Sequence, residues 1–428
     1  MPRVVVPRSA ADLDAALADA LAGPSPDPGG RAPADDGRPT VALQPLVHAA
    51  ADLPPDAALV VRTSGSTGTP REVVLTRRAL LASIGATAAR LGGHGRWLLA
   101  LPWHHVAGAQ VVARSVVART RAAHLPDEPF TPAVLATHAT AFLDDPATTR
   151  AYLSLVPTQL HRVVEAAEAA DPDGLAAARA LARFDAVLVG GAASSPDLLD
   201  AARSRGVPVV TTYGMSETCG GCVYDGVPLD GVRVRLGDGG RVELGGPVVA
   251  AGYLGEPGSA AFRTDADGTR WFVTSDLGEL VPEPVGARAA APGGGRDATP
   301  GASRLRVLGR ADDVVVTGGE KVAPLAVEHA LAPLGETCVV GVPDPEWGQA
   351  VVAVVVRPAA PGTGRGTLAP ADAGLRDRAR ALARDALGAP AAPRHVLVAD
   401  SLPLRGPGKV DRRGLAALAD AVVRGEQH

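Results

Sequence analysis

Between residues 57 and 211, apolar runs of strand length alternate with segments of helical spacing, and this alternation restricts the possible folds more than any other feature. Ala57–Arg62 (AALVVR) ends in a Gly/Ser/Thr cluster, the pattern of a buried strand running into a loop. In Arg77–Leu91, Leu80, Leu81, Ile84, Ala88 and Leu91 share one helical face. Val116–Arg119, Ala186–Val189 and Val209–Thr211 predict further strands, and Leu175–Arg183 and Pro196–Arg205 predict helices between them. Strands and helices in turn predict an α/β core. From Val232 to Val281 the pattern shifts to short strands with many glycines, and residues 284–303 form a low-complexity insert. After Gly309 comes a strand, a glycine turn and a helix at Leu325–Leu331. Strands at Val339–Val342 and Ala350–Val356, a flexible loop over 357–373 and a helix at Leu375–Leu387 follow. The 428 residues exceed one ordinary core. The boundary is expected near Arg310–Asp312, giving a large unit over 1–310 and a small one over 311–428.

Bulk properties remove several function classes. A hydrophobic fraction of 46% with 21% charged residues is that of a globular chain, and a net charge of -4 argues against nucleic acid or an anionic membrane as partner. Asp12, Asp14 and Asp19 break any signal-peptide core, no run of apolar residues is long enough to span a membrane, and residues 23–40 read as loop. Cys219, Cys222 and Cys338 cannot build a disulfide framework. These features together predict a cytoplasmic enzyme.

The sequence has forty arginines but two lysines, Lys321 and Lys409, with one isoleucine and no asparagine. Such usage reflects GC-rich coding, under which lysines drift to arginine. A compact ammonium that must meet one oxygen resists the drift, because a planar guanidinium does not replace it. The surviving lysines are therefore functional candidates, with chance survival on the surface as the alternative.

Five segments carry chemistry. In Thr63-Ser64-Gly65-Ser66-Thr67-Gly68-Thr69-Pro70-Arg71, expected between a strand and a helix, the glycines admit close backbone approach. The hydroxyls and Arg71 can clasp a polyphosphate; the alternative is a Ser/Thr-rich surface loop. In Thr211–Thr218 (TTYGMSET), Tyr213 offers a face for a flat base, Ser216 a hydroxyl for phosphate and Glu217 a hard oxygen for Mg2+. The alternative there is a strand end with a turn. Asp276, in Phe272–Glu279, can accept from ribose hydroxyls or simply be a turn residue. The fourth segment, Gly309–Pro324, holds Arg310, Asp312 and the tight turn Gly318-Gly319; the fifth, Leu402–Arg412, holds Lys409 on a Gly/Pro loop.

These five segments, in this order, resemble the core motifs of the adenylate-forming superfamily, which includes acyl-CoA synthetases, peptide-synthetase adenylation domains and luciferases. The resemblance spans Thr63 to Arg412 and takes in both lysines. It implies a large N-terminal domain with α/β layers and a β-rich part, and a small mobile α+β C-terminal domain. It implies that Thr63–Arg71 holds the β- and γ-phosphates of ATP. Tyr213 would stack on adenine opposite Gly190, Gly191 and Ala192, Ser216 would contact phosphate and Glu217 would bind Mg2+. Asp276 and Arg310 would hold the ribose and Asp312 would be the hinge. Lys409 would meet the α-phosphate and carboxylate oxygens during adenylation, and Gly318-Gly319 would swing in for transfer to CoA. His105 would stand at the acyl-pocket wall, and Lys321 has no catalytic role in this picture.

The short region before Thr63, the segment Ser154–Leu160 (SLVPTQL) and the run Tyr213–Gly231 are most similar to the 2-succinylbenzoate–CoA ligases of menaquinone biosynthesis. That resemblance implies a dianionic carboxylic acid substrate, for which His105, Thr158 and Gln159 are the candidates; no arginine is assignable from sequence. The phosphate segment departs from the family's Pro-Lys-Gly ending: Pro70-Arg71-Glu72 keeps the charge but sets an acid beside the phosphates. Rival readings are an aryl- or fatty-acid–CoA ligase of the same fold, a module loading a carrier protein, and a non-catalytic nucleotide-binding protein. The last could lose Lys409 or Glu217, and both are present. Oligomeric state is left open, a homodimer being one option. Cys219 and Cys222 have CxxC spacing without a second pair, and His104 and His105, read as neighbours on a strand, would face opposite ways.

Overall fold

In the computed structural model, which describes residues 3–22, 37–63, 70–282, 303–357, 368–404 and 410–425, four sheets carry the chain. The first has the order Val4–Val5, Thr40–Ala42, Ala57–Thr63, Arg71–Thr76, Gly252–Tyr253. Its centre is an antiparallel pair in which Val60 and Val61 face Val74 and Val73. Here the structure corrects the sequence reading: the Ser/Thr/Gly segment joins two strands, and the helix Arg77–Arg90 begins only after the second. Val73, Val74 and Leu75 are almost fully buried, so a β-branched run in a two-sided core takes the extended conformation.

The second sheet is doubly wound. Its parallel strands lie in the order Ala123–His124, Arg96–Leu99, Ala151–Leu155, Ala186–Gly190, Val209–Met215, and Gly220–Tyr224 adds antiparallel to the last. From Arg96–Leu99 the chain goes outward to Ala123–His124, then returns to the other side at Ala151–Leu155. The winding reverses between Arg96–Leu99 and Ala151–Leu155, and such a reversal opens a crevice at the carboxyl ends of the strands. Leu80, Ile84, Ala109 and Val112 cover one face, packed on Trp97, Tyr152 and Leu188. Leu135, Leu160, Val163 and Ala177 cover the other, packed on Leu98, Leu153 and Val187. The expected strand at Val116–Arg119 is the end of the helix Val106–Val117; Ala109, Val112 and Ala113, spaced i, i+3, i+4, are buried and decide for the helix.

The third sheet is antiparallel, Arg233–Leu236, Arg241–Gly245, Arg270–Pro282, Phe262–Thr264, with Ser303–Arg310 also on Arg270–Pro282. The predicted low-complexity insert falls almost wholly outside the described residues.

The C-terminal sheet runs Glu320–Val322, Val315–Thr317, Gly348–Val356, His395–Ala399, Ala369–Pro370, and Thr337–Asp344 pairs with Gly348–Val356. Val327 and Ala379 cover one face, Leu415 and Ala419 the other. The chain thus has a large α/β part with a β-rich extension and a smaller α+β part. Within the loop expected over 357–373, Ala369–Pro370 forms a short edge strand. No helix among the described residues is long and apolar enough to cross a membrane.

Candidate active site

Four neighbouring parallel strands deliver the predicted segments to one edge. Arg96–Leu99 leads into His105, Ala151–Leu155 into Thr158 and Gln159, Ala186–Gly190 into Gly191 and Ala192, and Val209–Met215 into Ser216 and Glu217. Segments up to 112 positions apart in sequence therefore share the carboxyl-end crevice. Strand packing at this edge is close: a Cβ on Gly190 would collide with the Thr212 hydroxyl and lie 2.9 Å from the Thr212 carbonyl oxygen.

Several predicted residues are brought together directly. The Tyr213 hydroxyl donates to Asp276 Oδ2 at 2.7 Å, and Asp276 lies opposite Arg310 in the strand register, with Arg310 Nε 4.0 Å from Asp276 Oδ1. Burial, with the Asp276 charge beside it, drives the Tyr213 phenol well above its ordinary pKa, so it stays neutral and remains a donor. A tyrosine, a carboxylate and a cation from three of the predicted segments thus form one cluster.

Beside it, Glu217 accepts from the Tyr253 hydroxyl at 2.8 Å, and the Arg71 guanidinium lies 4.8 Å from the centre of the Tyr253 ring. Arg71 also pairs with Glu256 at 3.1 Å. The turn carrying Ser216 and Glu217 is pinned by Thr218, whose hydroxyl accepts from Met215 N–H, and by Gln110, whose amide donates to Cys219 O at 2.6 Å. Mg2+ is held through one or two carboxylates with the remaining positions on phosphate and water. A single half-buried glutamate beside a phosphate segment fits that mode.

Other expectations resolve differently. Ser64, Gly65, Ser66, Thr67, Gly68 and Thr69 lie outside the described residues, as does Lys409. Thr63 and Arg71, which bracket the loop, are cross-strand partners. Gln159 is occupied by the backbone: its Oε1 accepts from Val156 N–H at 3.0 Å and its Nε2 donates to Ala100 O at 2.9 Å. It clamps the two strands at the reversal. His104 and His105 are not on a strand; His105 is the N-cap of the helix Val106–Val117, its ring 4.6 Å from that of His104. Thr158 sits in the first turn of the helix Pro157–Glu168. Gly318 and Gly319, both at positive φ, close the hairpin between Thr317 and Glu320 against Trp347. Asp312 lies exposed in the turn Ala311–Asp313 that follows the strand Ser303–Arg310. Lys321 is exposed on the strand Glu320–Val322. Cys219 and Cys222 are buried in the core, which pushes the Cys222 thiol up to about 12 and the Cys219 thiol higher. His161 is exposed on its helix, 3.8 Å from Glu165.

The sequence reading missed Arg114. It is 6% exposed, it lies 4.8 Å over the Trp97 ring, and its Nη2 stands 3.4 Å from both the Thr87 and Tyr224 hydroxyls. Its Nε has no partner, and no carboxylate among the described residues pairs with it. With Thr87, Trp97 and Tyr152 it lines a small cavity. The signal was one charge inside an otherwise uncharged helix, hidden among forty arginines.

The model of the AMP-binding enzyme family matches residues 7–254, and that of the AMP-binding enzyme C-terminal domain matches residues 326–409. The chain belongs to the AMP-binding enzyme family. Among its relatives, the probable 2-succinylbenzoate–CoA ligase of Mycobacterium tuberculosis (strain H37Rv) is 43% identical over 363 residues, 84% of each chain. The medium/long-chain-fatty-acid–CoA ligase FadD8 of the same organism is 30% identical over 407 residues, 87% of this chain and 63% of the relative. The o-succinylbenzoate CoA synthetase of Bacillus subtilis, solved with the acyl-adenylate OSB-AMP, is similar at a TM-score of 0.63 and 25% identity, covering 84% of this chain and 69% of that one. The resemblance drawn from five short motifs and the AMP-binding fold agree.

Proposed function

We propose that this AMP-binding enzyme joins 2-succinylbenzoate to CoA through an acyl-adenylate, the step that commits this acid to menaquinone biosynthesis, and that it works in the cytoplasm. Units 1–310 and 311–428 act as the large and small domains, with Asp312 as hinge. The acid's carboxylate attacks the α-phosphate of ATP and pyrophosphate leaves; the CoA thiol then displaces AMP. Bound at Glu217, Mg2+ supplies charge neutralisation to the phosphates. Thr63 to Arg71 holds the β- and γ-phosphates, Ser216 adds a hydroxyl, and Tyr213, Gly191 and Ala192 flank adenine. Asp276 and Arg310 take the ribose. Lys409 places an ammonium on the oxygens where charge gathers during adenylation. Gly318-Gly319 enters for the thioester step, so that two half-reactions use one centre with water kept out.

The likeness to 2-succinylbenzoate–CoA ligases, 43% identity over 84% of the chain for the Mycobacterium tuberculosis relative, carries the choice of acid. A fatty acid spends its only carboxylate in the reaction, whereas 2-succinylbenzoate keeps a second one. Arg114 is not its partner: the helix that His105 caps runs back along the sheet, so nine residues or about 14 Å of rise place Arg114 near the amino ends of the strands, beside Trp97 and Tyr152 and away from the crevice. We assign the second carboxylate to His105 and Thr158, which stand at the crevice.

The test is mass spectrometry of the purified protein with ATP, Mg2+ and CoA and, in parallel, 2-succinylbenzoate, benzoate or a medium-chain fatty acid. A thioester and AMP are expected with 2-succinylbenzoate; product with the fatty acid alone would overturn the reading. His105→Ala is expected to raise KM for 2-succinylbenzoate roughly tenfold or more, with KM for ATP unchanged, as for the loss of a hydrogen-bond partner to a charged group.

A further inference from the structure

The acid at position 72 stands where the family's phosphate segment has glycine, and nothing in the proposed chemistry uses it. It is 2% exposed and well satisfied. Its Oε1 accepts from Val47 N–H at 2.7 Å, and its Oε2 accepts from His48 N–H at 3.1 Å and lies 2.7 Å from His48 Nδ1. Arg62, its cross-strand partner, approaches Oε1 at 3.5 Å and also donates to Pro45 O. Burial alone would push the carboxyl up, but these donors hold it below the usual carboxylate range.

Successive residues of a strand face opposite ways. Arg71 therefore looks toward Tyr253 and Glu256 on one side, while Glu72 looks toward Pro45–His48 on the other. The two sides meet again: the His48 ring lies against Gly255, so close that a Cβ there would collide with it, and Gly255 is followed by Glu256, the partner of Arg71. Glu72, His48, the Gly255-Glu256 turn and Arg71 close a ring around the foot of the phosphate segment.

We propose that Glu72 is a positioning residue for ATP: it fastens the hairpin and, through His48 and the Gly255-Glu256 turn, sets Arg71 beside Glu217. This rests on the reading of Thr63 to Arg71 as the phosphate-holding segment. The acid is not set against the phosphates; the fold turns it away and uses it as an anchor that a glycine could not provide.

Glu72→Gln, His48→Ala and Arg71→Ala are compared with the parent enzyme by steady-state kinetics in ATP and in 2-succinylbenzoate, with thermal melting in parallel. His48 is 39% exposed, so its loss leaves the core intact. Glu72→Gln is expected to raise KM for ATP about tenfold and His48→Ala by less, with KM for the acid unchanged, since lost positioning of one substrate moves that constant alone. A purely structural glutamate would lower the melting temperature and the active fraction and leave KM for ATP in place. That result in both variants, with Arg71→Ala weakening ATP, would overturn the positioning role alone. An Arg71→Ala enzyme of unchanged KM for ATP would overturn the phosphate-segment reading and this inference with it.

Discussion

A carboxylate that is to receive ribose hydroxyls needs a fixed orientation. Asp276 has one. Its backbone N–H donates to Thr274 Oγ1 at 2.9 Å, Tyr213 occupies Oδ2, and Oδ1 faces Arg310 at a distance too long for a direct hydrogen bond. Removing the acid strips a charged acceptor from the proposed nucleotide site and takes from the Tyr213 hydroxyl its carboxylate acceptor. Asp276→Ala is expected to weaken ATP binding roughly tenfold or more, with the acid site untouched. Calorimetric titration with ATP checks this; an affinity equal to the parent's would rule out the ribose contact. At this scale the sequence was legible where separate segments offer matching groups, as with Tyr213 and Asp276, which the fold brings to 2.7 Å of each other. It was illegible where one type is everywhere: Arg114 has the same letter as thirty-nine others, and its burial against Trp97, Thr87 and Tyr224 shows only in the fold.

Elements carry the site by ending at the right place. The reversal between Arg96–Leu99 and Ala151–Leu155 makes the crevice, Gln159 holds its two lips, and Gly190 lets Val209–Met215 lie close. Gly190→Ala is expected to cost about 1–3 kcal/mol, because the new Cβ meets backbone that cannot step aside. A melting curve unchanged from the parent's would show that the strands can part without cost. The alternation that predicted the α/β core was reliable for these strands, since Ala186–Val189 and Val209–Thr211 are short apolar runs between helical segments. It failed at Val116–Arg119 and at Arg71–Thr76. Both contain β-branched residues in runs of a few positions, too short for periodicity to separate strand from helix. Only packing partners decided: Val60 and Val61 for one, and a helical spacing of buried residues beginning upstream for the other.

At the scale of the whole molecule, two half-reactions must use one crevice. The smaller part presents Gly318-Gly319 on one hairpin, while Lys409 belongs to the segment just before the helix Arg412–Val423. Arg412 anchors that helix, its guanidinium donating to both oxygens of Glu328 and to Val339 O. The Gly318-Gly319 turn thus closes the edge hairpin of the C-terminal sheet, while the helix Arg412–Val423 packs on one face of the same sheet. Lys409→Ala is expected to suppress acyl-adenylate formation by about a hundredfold or more, the usual cost of losing a preorganised charge. Thioester formation from supplied acyl-adenylate should stay near the parent rate. Rapid-quench measurement of each half-reaction checks this, and equal loss in both would dismiss the division of labour. The order of the five motifs made this two-part plan legible from the sequence. The partner sets that stiffen it, such as Arg412 with Glu328, were not, because their members lie 84 positions apart with no pattern linking them.

The back-to-back placement of Arg71 and Glu72 has a consequence for how this enzyme tolerates change. Polarity on a strand is read by parity. Sliding Arg71–Thr76 by a single position against Ala57–Thr63 would exchange the two side chains and turn an anion toward Tyr253 and Glu217, the side proposed for the triphosphate. A one-residue deletion between Arg71 and Thr76 should therefore inactivate more thoroughly than any single substitution there, and a two-residue deletion would keep the frame. In this hairpin the information that matters is odd or even, and the length of the strand Arg71–Thr76 is as much a functional determinant as the letters it contains.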